Sequence, residues 1–178
     1  VATMHPQQVR TVAVYEPVLF RWLMDDVERC GSLQEVTEIA ESIRESIKAR
    51  AEHEAAKRFV DFWSGAGAWD LMSPRGRETS VKRIHAVMRH FDALYKEPVE
   101  HARLASLKMP TLYLSGAETV AVARRVAEVF HRAVPHCRQE VLPAMGHIGP
   151  ITHANEVNQR LLTFLQAQDC SVDMRAAA

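Results

Sequence analysis

Apolar positions along this chain follow two rhythms. Three short stretches read as strands: Thr11–Tyr15, Thr111–Ser115 and Gln139–Leu142. The first two are almost wholly apolar or β-branched, the pattern of strands covered on both faces in a parallel sheet. The second is launched by Leu107-Lys108-Met109-Pro110. Elsewhere the apolar residues return at helical spacing. Val122, Val126, Val129 and Phe130 predict a helix over 120–133, closed by Pro135, and Val157, Leu161, Leu162 and Leu165 predict a last helix from about Thr152 to Ala167. Strand, helix, strand, helix in this order predicts an α/β layer with right-handed crossovers.

Between Pro17 and Lys108 the strand rhythm disappears. Ser32-Leu33-Gln34-Glu35 has capping-box spacing and predicts a helix reaching Trp63 with one break, ended by Ser64-Gly65-Ala66-Gly67. Ser73-Pro74 reads as an N-cap followed by proline at the first helical position, opening a helix to about Tyr95. The predicted fold is therefore α/β: three parallel strands with flanking helices and an inserted all-helical cap. Residues 1–20 and 106–168 form the core, 21–105 the cap, and 169–178 a disordered tail.

Composition narrows the function. The chain has 178 residues and a formal net charge of zero, with Lys and Arg dispersed among Asp and Glu. That gives no electrostatic case for nucleic acid or an anionic membrane surface; no apolar run approaches a membrane span, and no signal peptide is expected. Cys30, Cys137 and Cys170 are odd in number and lack CxxC spacing. They read as free thiols in a reducing compartment, hence a cytoplasmic protein. No His/Cys/Asp/Glu set has metal spacing, and no cofactor is implied. Val1-Ala2-Thr3-Met4 runs at once into the first strand. The expectation is an upstream portion, and a Thr11–Tyr15 edge that favours self-association when left unpaired.

One segment carries candidate chemistry. Leu142-Pro143-Ala144-Met145-Gly146-His147-Ile148-Gly149-Pro150 follows the third strand and leads into the last helix. Glycine and proline make it a short, constrained loop that holds an imidazole at a strand end. That position suits a general base; the plainer reading is a loop histidine bonded to nearby backbone. His153 reads as a capping or surface residue, and His85 and His90 as solvated on a cap helix.

The full order is strand, Glu-Pro, helical insertion, Pro-launched strand ending in Ser-Gly, helix, strand, Gly-His, helix. It resembles the C-terminal half of the α/β-hydrolase fold from the sixth strand onward. Tyr15-Glu16-Pro17-Val18-Leu19-Phe20, the Phe59–Trp69 segment and Gly146–His153 are similar to a subgroup with Tyr-Glu-Pro after that strand. The resemblance implies His147 as the base of a Ser, Asp or Cys nucleophile carried on a Gly-x-Ser-x-Gly-type elbow.

Two departures follow. No Gly-x-Ser-x-Gly occurs in the chain, and Thr119 stands where the family usually has its acid. Glu16, at the end of the first strand, and Glu118, one residue off the usual place, are the alternative orienting carboxylates; a structural Glu16 bonded to backbone amides is equally open. Trp22, Phe59, Phe62, Trp63, Trp69, Met24 and Met72 line an apolar substrate pocket beneath the cap or simply pack the cap on the sheet, two compatible readings. The function implied is hydrolysis of an ester, amide or related bond in a small apolar substrate, with this chain inactive alone. The alternative is a non-catalytic hydrolase-fold protein that binds a ligand or partner.

Overall fold

Each residue of Thr111–Gly116 is buried, and this strand (β2) is the middle of a three-stranded sheet. The computed structural model describes residues 1–24, 31–96 and 101–176. Strand β1 (Val12–Tyr15) lies parallel to β2 on one side, with Val12 beside Thr111 and Tyr15 beside Leu114. Strand β3 (Arg138–Leu142) lies parallel on the other side, with Leu112 beside Arg138 and Gly116 beside Leu142. All three predicted strands are present within a residue of their expected ends, as are the parallel order and the helical insertion between β1 and β2.

The insertion holds α1 (Phe20–Leu23), α2 (Gly31–Lys48), α3 (Glu52–Ser64), α4 (Ala68–Leu71) and α5 (Pro74–Tyr95). Helix α6 (Ala121–Ala133) joins β2 to β3, and α7 (Gly149–Thr152) and α8 (Ala154–Ala176) follow β3.

Local chemistry explains most boundaries. Ser73 caps α5 as its spacing predicts, accepting from the Gly76 N–H with Pro74 at the first helical position. The break between α2 and α3 is a Schellman turn: Arg50 N–H donates to Ile47, Ala51 N–H to Ser46, and Arg50 sits at φ 57°. Three expectations need correction. Helix α2 already includes Gly31 and Ser32, so Ser32 is not its N-cap; the side chain of Ser32 and residues 25–30 lie outside the described set. The last helix is divided at His153, whose carbonyl accepts from Glu156 and Val157 and so starts α8. Pro150 lies in the first turn of α7, where its missing N–H costs no hydrogen bond. Helix α8 continues to Ala176, because no Gly or Pro interrupts the segment after Ala167.

The chain divides into two compact units: Val1–Pro17, Val99–Glu118 and Ala127–Ala178 form one, and Val18–Pro98 with Thr119–Val126 the other. In the first, α8 covers one face of the sheet. Leu112, Leu114, Leu142, Met145, Val157 and Phe164 form its buried cluster, with Tyr15 and Leu161 packed against it. Each such side chain contributes roughly 1.5–3 kcal/mol by leaving water. On the opposite face the Tyr113 ring meets Phe130, 5.1 Å between centroids. In the second unit, Phe20 stacks on Trp63 at 6.0 Å, and Trp22, Trp63 and Trp69 are buried. The cap tryptophans therefore pack its interior, whereas Met24 is 47% exposed.

Candidate active site

Parallel strands bring their carboxyl ends to one edge of the sheet, and the candidate residues come from those ends. The β1 ladder extends one residue past Tyr15, where Glu16 N–H donates to the Leu114 carbonyl at 3.0 Å. Glu16 then takes φ 39°, in the left-handed region. A non-glycine residue held there costs on the order of 1–3 kcal/mol, so its surroundings must over-determine it. They do so through the carboxylate, whose side chain is fully buried. One oxygen, Oε1, accepts from the Gly116 N–H at the end of β2, 2.8 Å away. The other, Oε2, lies 2.8 Å from His147 Nδ1.

The shared carboxylate fixes the chemistry of the ring. An ionised carboxylate only accepts, so Nδ1 carries the proton facing Glu16, and the neutral ring has its lone pair on Nε2. His147 is partly exposed, 21% of its side chain. A buried acceptor behind Nδ1 and a lone pair on Nε2 are the two requirements of an oriented general base.

The loop that presents His147 is tied down on several sides. The Glu118 N–H donates to the Met145 carbonyl at 2.8 Å, and the Tyr15 hydroxyl to the Gly146 carbonyl at 2.7 Å. Gly116 leaves space for that loop: a Cβ there would run into the Met145 carbonyl oxygen.

Of the two carboxylates weighed from sequence, Glu16 is brought to His147, while Glu118 is exposed and engages the loop through its backbone. His153 pairs with the Thr152 hydroxyl at 2.8 Å and is exposed; His85 and His90 are exposed on α5. Thr119 is buried, 3% exposed. Sequence reasoning allowed Glu16 a backbone-amide partner without naming Gly116, and gave Tyr15 no role beyond its strand and the Tyr-Glu-Pro resemblance. The only sequence signals were the Ser-Gly at the end of β2 and the adjacency of Tyr15 to Glu16.

Among the described residues, no group of three or more His, Cys, Asp and Glu is arranged to hold a metal ion. A groove of about 550 Å³ between β3 and α8 lies apart from His147. Its charges are mutually engaged, Arg138 with Glu140 at 2.8 Å and Arg160 with Glu140 at 3.8 Å. No described helix is long and apolar enough to cross a membrane.

No family model and no curated protein matches the sequence. Solved structures do match. A bromoperoxidase from Bacillus anthracis aligns over 88% of this chain and 58% of its own, at 20% identity and TM-score 0.64. NosK from Streptomyces actuosus aligns over 94% and 63%, at 21% identity and TM-score 0.52. The 2-hydroxy-6-oxo-6-phenylhexa-2,4-dienoate hydrolase of Rhodococcus sp. strain RHA1 aligns over 93% and 58%, at 15% identity and TM-score 0.55. The fold is a partial α/β-hydrolase fold. The chain spans about three fifths of the length of each of these structures.

Proposed function

We propose that this chain is the base-bearing portion of an α/β-hydrolase-fold enzyme that cleaves an ester, amide or related bond in a small apolar substrate. His147 is the general base and Glu16 its positioning carboxylate. The observation that carries this is the Glu16 carboxylate shared between His147 Nδ1 and the Gly116 N–H, both at 2.8 Å. A surface histidine needs no buried acid with both oxygens assigned.

In this reading a serine on an elbow outside the chain attacks the substrate carbonyl carbon while His147 Nε2 takes the hydroxyl proton. The tetrahedral intermediate collapses, and the proton passes from Nε2 to the leaving group. Water then enters by the same route and releases the acid. Base catalysis of this kind supplies roughly 10²–10⁴-fold in rate. The chain contains no Gly-x-Ser-x-Gly, so by itself it is inactive. A non-catalytic binding role is less well supported, because the carboxylate missing at Thr119 has a counterpart in Glu16. The half-buried, almost wholly apolar β1 supports self-association of the isolated chain through that edge.

The test is turnover of short-chain aryl esters. A polypeptide joining this chain to an upstream Ser elbow is expected to hydrolyse them and to lose at least about 10³-fold in kcat on His147→Ala, while the isolated chain does nothing. Full activity in the His147→Ala polypeptide would overturn the proposal.

A further inference from the structure

We propose that Tyr15 is a positioning residue for His147, setting the backbone of the loop while its neighbour Glu16 sets the ring. This rests on the Glu16–His147 reading above and extends it to a residue whose hydroxyl bonds the loop backbone.

The Tyr15 hydroxyl donates to the Gly146 carbonyl at 2.7 Å. That carbonyl belongs to the peptide plane joining Gly146 to His147, so fixing it fixes the direction in which the His147 side chain leaves the loop. The same ring lies against Gly149. A Cβ on Gly149 would collide with the Tyr15 hydroxyl and stand 2.9 Å from ring atom Cζ. The loop therefore closes on the Tyr15 ring from both sides of His147, and Gly149 N–H donates to Gly146 at 3.0 Å to complete the turn. Tyr15 lies beside Leu114 in the sheet, and the next residue, Glu16, donates to the Leu114 carbonyl. One short piece of sheet thus anchors both the loop and the carboxylate, and the 2.8 Å contact between them is set by two consecutive residues. Burial, and secondarily the charge of Glu16, pushes the Tyr15 hydroxyl up to about 12, so it remains a donor at any pH where an imidazole base works.

The readout is the tautomer of His147 in ¹⁵N-histidine-labelled chain at a pH where the ring is neutral, with the signal assigned by its loss in His147→Gln. In the unsubstituted chain the ring proton is expected on Nδ1. Glu16→Gln is the control. Gly116 N–H holds the amide oxygen, which turns the NH₂ toward Nδ1 and moves the ring proton to Nε2. Tyr15→Phe keeps the aromatic ring and removes one donor. It is expected to give a mixture of the two tautomers and about fivefold to tenfold faster water exchange of the Nδ1 proton, the worth of one neutral hydrogen bond. Gly149→Ala is expected to reproduce that mixture by displacing the ring.

If Glu16→Gln leaves the proton on Nδ1, the underlying Glu16–His147 reading fails. If Glu16→Gln moves it while Tyr15→Phe and Gly149→Ala both match the unsubstituted chain, Tyr15 only packs the loop and the present inference is overturned. A loss of thermal stability alone in Tyr15→Phe counts as that second result.

Discussion

Glu16 combines three features that are individually costly: a left-handed backbone, complete burial and a carboxylate. Each is offset by a specific neighbour: the Leu114 carbonyl holds the backbone, and the Gly116 N–H and His147 Nδ1 face the two carboxylate oxygens. In the sequence it was one of two candidates, because spacing gives distance along the chain but not the direction of a side chain. The φ of Glu16 decides that direction, and no residue type signals it. Tyr15, one residue earlier, supplies a pH test. Its hydroxyl lies near 12 in the folded chain against an ordinary 10.0. As pH rises past 10 the unfolded chain releases this proton first, so the stabilisation present below pH 10 is lost toward pH 12. The thermal midpoint is expected to fall over that window, and to fall less in Tyr15→Phe. The fall should persist in part, because burial also raises Tyr113. An identical slope in both proteins would contradict this.

Elements were legible where a boundary is written in one residue type. Ser73-Pro74 was, because a hydroxyl cap and a proline at the first position each have a single mechanical use. The end of α3 was too, with Gly65 at φ 101° and Gly67 at φ 81°. The α2–α3 turn was only half legible: a break was expected, but its left-handed position holds Arg50, a residue that does not announce a helix end. Arg50→Gly is therefore expected to stabilise the protein by about 0.5–1 kcal/mol, relieving the strain of a side chain at positive φ. Reversible thermal or urea unfolding reads this directly, and a destabilised variant would show that Arg50 has a packing role. The short helices α1, α4 and α7 were missed because four residues are too few to show a period.

At the scale of the whole molecule, the contrast between β1 and β2 matters most. Both are apolar in sequence, yet β2 is entirely buried while β1 has half-buried residues and an exposed Ala13. Apolar content showed that both belong in a parallel sheet; it could not show which side of β1 is covered. Leu162 and Leu165 of α8 are likewise 56% and 42% exposed. Exposed apolar side chains and an open strand edge promote association. The isolated chain is expected to show a weight-average mass that rises with concentration in sedimentation velocity, and Ala13→Lys to suppress it by placing a charge on the edge strand. A mass independent of concentration would remove the β1 edge as an interface.

The central claim is that His147 acts as a base held by Glu16. The rate at which a fluorophosphonate phosphonylates the serine of an elbow-bearing polypeptide reads this most directly, because the hydroxyl attacks only as its proton is taken up. His147→Ala and Glu16→Gln are each expected to slow that reaction by about 10³–10⁴-fold, the second by presenting the wrong tautomer. A Glu16→Gln protein that remains folded and reacts at the unsubstituted rate would contradict the claim.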